Sequence, residues 1–100
     1  MGMERNKVIE AINSERDYQL SLEDSEGSHI VSSLNMGGIL TAIRYNLTKA
    51  EAEWYREVAP YPNTSQLLRK IAALCLKAGE DYGMSNRLTQ TAPATVTGTP

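Results

Sequence analysis

One stripe of apolar side chains constrains the fold more than any other feature of this sequence. Between residues 36 and 54, apolar residues recur every three or four positions, as they do on one face of an α-helix. The stripe consists of Met36, Ile39, Leu40, Ile43, Leu47, Ala50 and Trp54. Two further segments have helical spacing, and no segment alternates as a β-strand does. The chain is therefore predicted to be all-α, with three helices.

The predicted helices span about residues 4–20, 29–58 and 65–82. The pair Gly37-Gly38 falls inside the second of them. Such a pair marks either a break or a place where another helix packs closely. Because the apolar spacing continues on both sides of the pair, we favour close packing.

Turn-forming residues predict where the helices begin and end. Residues 21–28, SLEDSEGS, are predicted to form a loop. Ser28 is expected to cap the second helix, and the prolines in residues 59–63 are expected to end it. The third helix is expected to take its N-cap from Asn63, Thr64 or Ser65, and Gly83 is expected to end it.

A chain of 100 residues fits one small domain with a thin core. Residues 1–87 are predicted to form the helical domain, and residues 88–100, LTQTAPATVTGTP, a disordered tail rich in Thr and Pro. We expect a three-helix bundle with a long central helix, and we expect association of copies to complete its core.

Composition excludes several classes of function. There are 12 acidic against 10 basic residues, so no broad basic surface for duplex DNA is expected. No apolar run is long enough to span a membrane and no signal peptide is evident, which predicts a cytoplasmic protein. Cys75 is the only cysteine, and its apolar surroundings predict that it is buried.

The first helix raises the main functional question. Its apolar face begins with Val8, Ile9 and Ile12, and it continues as Glu15, Arg16 and Gln19 in the segment SERDYQ. Two interpretations remain open. The polar residues line a ligand pocket at a helix or subunit junction, or Arg16 pairs with a carboxylate that holds helices together.

Three further groups are candidates for chemistry. Glu53 and Glu57 share a helix face, and Glu80 and Asp81 lie near the end of the third helix, where they can supply oxygen ligands to Mg²⁺. The cationic candidates for phosphate are Arg69, Lys70 and Arg87. The aromatic candidates for stacking on a base are Tyr18, Tyr45 and Tyr82.

Three stretches together resemble small phage-encoded proteins described as MazG-like, after the all-helical nucleotide pyrophosphohydrolases. They are SERDYQ, the acidic helix end that contains Trp54, and LLRKIAALCLKAGEDYGMSNR. The resemblance covers about residues 6–87 and is strongest in residues 69–74 and 80–83. It implies a Glu-rich magnesium motif on one helix and further carboxylates on the next. This chain departs from that pattern, because residues 65–79 contain no acidic residue.

The resemblance and the departure together lead to three hypotheses. The preferred one is a viral helical homo-oligomer that sequesters a nucleotide-type ligand, such as an immune second messenger, without hydrolysing it and without a cofactor. Its ligand would be bound by Glu15, Arg16, Tyr18, Gln19, Tyr45, Arg69, Lys70, Tyr82 and Arg87. The second is a magnesium-dependent pyrophosphohydrolase that uses Glu53, Glu57, Glu80 and Asp81. The third is an inhibitor that binds a host defence protein through Trp54 and Tyr55.

Overall fold

The structure, a computed structural model, describes residues 2–23 and 34–88. These residues form three helices and no strand: α1 (Arg5–Glu23), α2 (Met36–Arg56) and α3 (Pro62–Tyr82). The all-α prediction is therefore confirmed for this part of the chain. The predicted cap at Ser28, residues 29–33 of the predicted second helix and the tail from residue 89 lie outside the described residues. Leu34 and Asn35, which the prediction placed inside the second helix, precede α2 and are not helical. The first three residues of the predicted loop, 21–23, belong to α1.

Helix α2 begins at its glycine pair. Asn35 is the N-cap residue, and its side-chain oxygen accepts a hydrogen bond of 2.8 Å from the backbone N–H of Gly38. A Cβ at Gly38 would lie 2.9 Å from a side-chain carbon of Leu34, in the segment that enters the helix. The interpretation of the glycines as a contact with another helix is therefore wrong for the described residues. They lie in the first turn, where the chain turns sharply into the helix.

A carboxylate from the connecting segment caps α3. The Oε1 atom of Glu57 accepts hydrogen bonds from the backbone N–H and the hydroxyl of Thr64, and Oε2 accepts one from the backbone N–H of Asn63. Partial burial raises the pKa of the Glu57 carboxyl, but these hydrogen bonds together outweigh it, so the pKa lies below its ordinary value. The predicted caps are wrong: the N-cap position is held by Tyr61, whose φ of 57° is left-handed, and Pro62 opens the helix.

The C-terminal end of α3 follows the prediction. The backbone N–H of Gly83 donates to the carbonyl of Gly79 at 2.8 Å, and Gly83 has φ 88° and ψ 156°. This conformation is essentially open to glycine alone. Gly83 therefore ends α3 as its position in the sequence predicts.

Helix α3 lies between the other two helices. It packs against α2 along an antiparallel hairpin and against α1 on another face, and within the described residues α1 and α2 do not contact each other. The expectation of a long central second helix is therefore corrected. Both α2 and α3 have 21 residues, and α3 is the helix that contacts both neighbours. Residue spacing showed which side chains share a face, but it did not show which face meets which helix.

The apolar core of the described residues is thin. Its buried apolar members are Ile39, Ala50, Leu67, Ala73 and Leu74. Cys75 is exposed, so the prediction that it is buried is wrong. It follows Leu74 by one position, and helical geometry turns its side chain by about 100° from its neighbour's, out of the contact with α2.

Candidate functional site

The polar continuation of the α1 stripe is buried where α1 packs on α3. Glu15, Arg16 and Gln19 are each more than nine-tenths buried, and no other side chain of α1 in the described residues is buried as deeply. Ala73 of α3 is also fully buried, and its small side chain allows a second helix to approach closely. Thus α1 is attached to α3 through charged and amide groups as well as through apolar ones.

Arg16 makes the best-defined contact between the two helices. Its Nη2 and Nε atoms donate to Oε1 of Glu80 at 2.8 and 3.1 Å, and Nε is also 3.3 Å from Oε2. Its Nη1 atom donates to the side-chain oxygen of Gln19 at 3.3 Å. The guanidinium is buried, but the Glu80 side chain is 49% exposed. The pair is therefore open to water on the carboxylate side.

Glu15 forms a second ion pair, three helical turns away along α3. Its Oε1 atom accepts a hydrogen bond of 2.7 Å from Nε of Arg69. The Arg69 side chain is 36% exposed. Arg69 and Glu80 are eleven positions apart, which returns both side chains to the same face of α3.

These contacts match the second interpretation of SERDYQ. Arg16 pairs with a carboxylate and links two helices, as the second interpretation predicts. Every buried side-chain nitrogen and oxygen in residues 2–23 and 34–88 has a hydrogen-bond partner. The buried parts of the cluster therefore need no ligand to satisfy them.

Arg69 differs from Arg16 in one respect. Only its Nε atom bonds within the described chain, to Glu15, so the Nη1 and Nη2 groups retain their donors for another acceptor. Tyr18 follows Glu15 by three positions on α1 and is more than half exposed. An available guanidinium and an exposed aromatic ring thus lie near the same carboxylate.

The other predicted ligand residues are not part of this cluster. Tyr45 is exposed on α2, where its ring lies 5.2 Å from the ammonium of Lys49. Because α1 and α2 do not touch, one chain does not bring Tyr45 to the α1 cluster. The remaining predicted residues are exposed on or after α3, and within the described residues none of them has a side-chain hydrogen bond or ion pair to the cluster: Lys70, Tyr82 and Arg87.

The four candidate magnesium ligands are dispersed and have other partners. Glu57 caps α3, and Glu53 pairs with Arg56 at 2.7 Å. Glu80 binds Arg16, and Asp81 binds Lys77. Glu57 lies beside the start of α3, about 27 Å along the helix from Glu80 by the rise per residue. No cluster of three or more His, Cys, Asp or Glu side chains in the described ranges is arranged for a metal ion.

Lys77 is a buried group that the sequence did not single out. Its ammonium donates to Oδ2 of Asp81 at 2.7 Å, one turn further along α3, and its side chain is 4% exposed. Residues four apart on a helix share a face, and Lys77 lies one turn after Ala73, which is also buried.

An open groove borders Glu80 along the last turns of α3. Its volume is about 370 Å³, and it is lined by Cys75, Leu76, Gly79, Glu80 and Met84. The side chain of Met84 folds back against Gly79, where an added Cβ would lie 3.5 Å from it. The groove places apolar walls beside the exposed carboxylate of the Arg16 pair.

Comparison of the chain with protein-family models, with curated proteins and with solved structures finds no match in any of the three. None of the helices in the described residues is both long and apolar enough to cross a membrane.

Proposed function

We propose that this chain binds a nucleotide-type ligand at the rim of the α1–α3 cluster and does not hydrolyse it. The observation that carries the proposal is that only one nitrogen of the Arg69 guanidinium has a partner in the described chain. Glu15 holds its Nε atom, and its terminal nitrogens remain available on a partly exposed side chain. A guanidinium oriented in this way is well suited to bind two oxygens of one phosphate group.

Tyr18 supplies the second element of recognition. Its ring is more than half exposed, one turn along α1 from the carboxylate that orients Arg69. Stacking of a base on an aromatic ring contributes about 1–3 kcal/mol per base. A nucleotide has both groups that these side chains would bind, a phosphate for Arg69 and a base for Tyr18.

The dispersion of the acidic residues supports binding rather than hydrolysis. Metal-assisted pyrophosphate cleavage requires several carboxylate oxygens around the ion. In this chain the carboxylates of Glu57 and Glu80 lie near opposite ends of α3, each in a contact of its own. In the context of the MazG-like resemblance, we propose a viral protein that sequesters a nucleotide messenger of host immunity.

Isothermal titration calorimetry tests the proposal directly. The full chain is titrated with mono-, di- and cyclic nucleotides, with inorganic phosphate as the ligand that lacks a base. At least one nucleotide class should bind, and Arg69→Gln should weaken it about tenfold or more. Lys70→Gln, which removes the adjacent exposed cation, should change the Kd less than about threefold. Circular dichroism checks that both variants retain their helices.

Two outcomes would refute the binding proposal. One is the lack of any heat or thermal stabilisation with every nucleotide in the panel. The other is equal weakening by Arg69→Gln and Lys70→Gln, because only Arg69 belongs to the cluster. Magnesium-dependent release of pyrophosphate that Glu57→Gln abolishes in a folded variant would instead support the enzyme hypothesis.

A further inference from the structure

An apolar surface without an assigned partner lies along the outer edge of the α2 stripe. Leu40, Leu47 and Trp54 lie at seven-residue intervals, which places them along one side of the helix. Each is about half exposed, although each belongs to the apolar stripe. The neighbouring Ile39 and Ala50 are buried against α3, so the exposed edge continues the apolar core outward.

Two charged residues border this edge. Arg44 lies three positions before Leu47 and Glu51 lies four positions after it, and helical spacing puts both on the same flank of the apolar edge. Both are exposed, and neither side chain has a hydrogen-bond or ion-pair partner in the described part of the chain. The flank is therefore positive at one end and negative at the other.

This pattern is complementary to a second copy of itself in one orientation. If two α2 helices pair antiparallel about a twofold axis at Leu47, Leu40 of each chain faces Trp54 of the other. Arg44 of each chain then faces Glu51 of the other. Parallel pairing would instead place the charged flanks of the two helices on opposite sides of the interface, so Arg44 and Glu51 would not meet each other.

We infer that this chain forms a twofold-symmetric homodimer through antiparallel pairing of α2, with Leu47 on the axis. A twofold interface uses the same patch of both copies, and the α2 edge meets that condition. The binding partner is a second copy of the chain, because the apolar residues and the charges of this edge are both complementary to the same edge of an antiparallel copy. The inference depends on α2 alone, so it can fail or succeed independently of the ligand site at α1 and α3.

Analytical ultracentrifugation of the full chain measures the association. A single helix pair is a small interface, so the protein is loaded at about 5 to 500 μM. Leu47→Glu should raise the dimer Kd about 100-fold or more, because it places two like charges on the axis. The control Thr48→Glu adds the same charge at an exposed site that helical spacing turns away from the edge. It should leave the Kd within about threefold.

Charge reversal distinguishes the antiparallel from the parallel arrangement. Arg44→Glu and Glu51→Arg should each weaken the dimer about tenfold, since each alters two symmetry-related ion pairs. The double variant Arg44→Glu/Glu51→Arg should restore the Kd to within about threefold. Restoration requires that the two positions face each other across the interface.

Cross-linking gives an independent measure that does not depend on affinity. In a Cys75→Ser background, a mixture of chains that carry Arg44→Cys and chains that carry Glu51→Cys should form mixed disulfides under mild oxidation. A monomer at every concentration would overturn the inference. So would a dimer that is insensitive to Leu47→Glu, or a double charge reversal that fails to rescue. A stoichiometric complex with a different protein, seated on this edge of a monomeric chain, would also overturn it.

Discussion

The Arg16–Glu80 pair permits a quantitative test of how α1 is attached. Glu80→Gln removes the negative charge and one of the two oxygens that the guanidinium contacts. Loss of one member of a fully buried pair costs about 3–5 kcal/mol, whereas exposed pairs contribute about 0.2–1 kcal/mol. Because Arg16 is buried but half of the Glu80 side chain is exposed, we expect a cost of about 1–2 kcal/mol.

Urea denaturation followed by circular dichroism measures this cost at fixed protein concentration. For a domain of this size, the corresponding fall in Tm is about 5–15 °C. Arg16→Met removes the buried charge itself, so Glu80→Gln should cost much less in that background. The double-mutant cycle should show a coupling free energy of about 1 kcal/mol.

The control is the exposed pair of Lys7 and Glu10, whose nitrogen and oxygen are 3.6 Å apart. Glu10→Gln should change the free energy of unfolding by less than about 0.5 kcal/mol. The reasoning is refuted if Glu80→Gln costs no more than this control. It is also refuted if its cost is the same with Met at position 16, since the two side chains would then act independently.

Three further predictions concern the hairpin. The lowered pKa of Glu57 means that its stabilising effect is present above its ordinary pKa and is lost as the pH falls through the lowered value. Glu57→Gln should therefore reduce Tm at pH 7, and this reduction should shrink as the pH falls from the ordinary pKa through the lowered one, while Glu53→Gln has little effect at any pH. Ile39→Ala should lower the free energy of unfolding, measured by urea denaturation, by about 2–5 kcal/mol, because Ile39 is fully buried. An equal loss for Leu68→Ala, at a half-exposed position, would contradict this explanation. Gly83→Ala should lower the free energy of unfolding by about 1–3 kcal/mol, because residue 83 has a positive φ. An unchanged midpoint of urea denaturation would show that the end of α3 accepts alanine by changing its backbone conformation.

Local signals in the sequence predicted the helices well. The apolar spacing identified all three of the described helices, the prolines marked the hairpin, and Gly83 marked the end of α3. These features depend on residues within one or two turns of each other. For the same reason, the sequence also indicated that Glu15, Arg16 and Gln19 are on the inward face of α1.

Such local signals do not predict contacts between residues that are far apart in the sequence. The cap of α3 comes from Glu57, which is six and seven residues from its partners across a left-handed Tyr61. The partners of the α1 cluster lie 54 and 64 residues away. Helical spacing assigns a residue to a face, but it does not show which neighbour covers that face. For that reason Glu80 was grouped with metal ligands although it pairs with Arg16.

The way in which α1 is attached has a consequence for how the molecule opens. Among the described helices, α1 packs on α3 alone, and its most deeply buried side chains are all polar. The α2–α3 hairpin has its own apolar contacts through residues such as Ile39 and Leu67. We therefore expect α1 to undock in a separate cooperative step, with a smaller free energy than complete unfolding, while the hairpin remains folded. Amide hydrogens of α1 exchange with solvent through that step, and a molecule that binds across α1 and α3 slows their exchange.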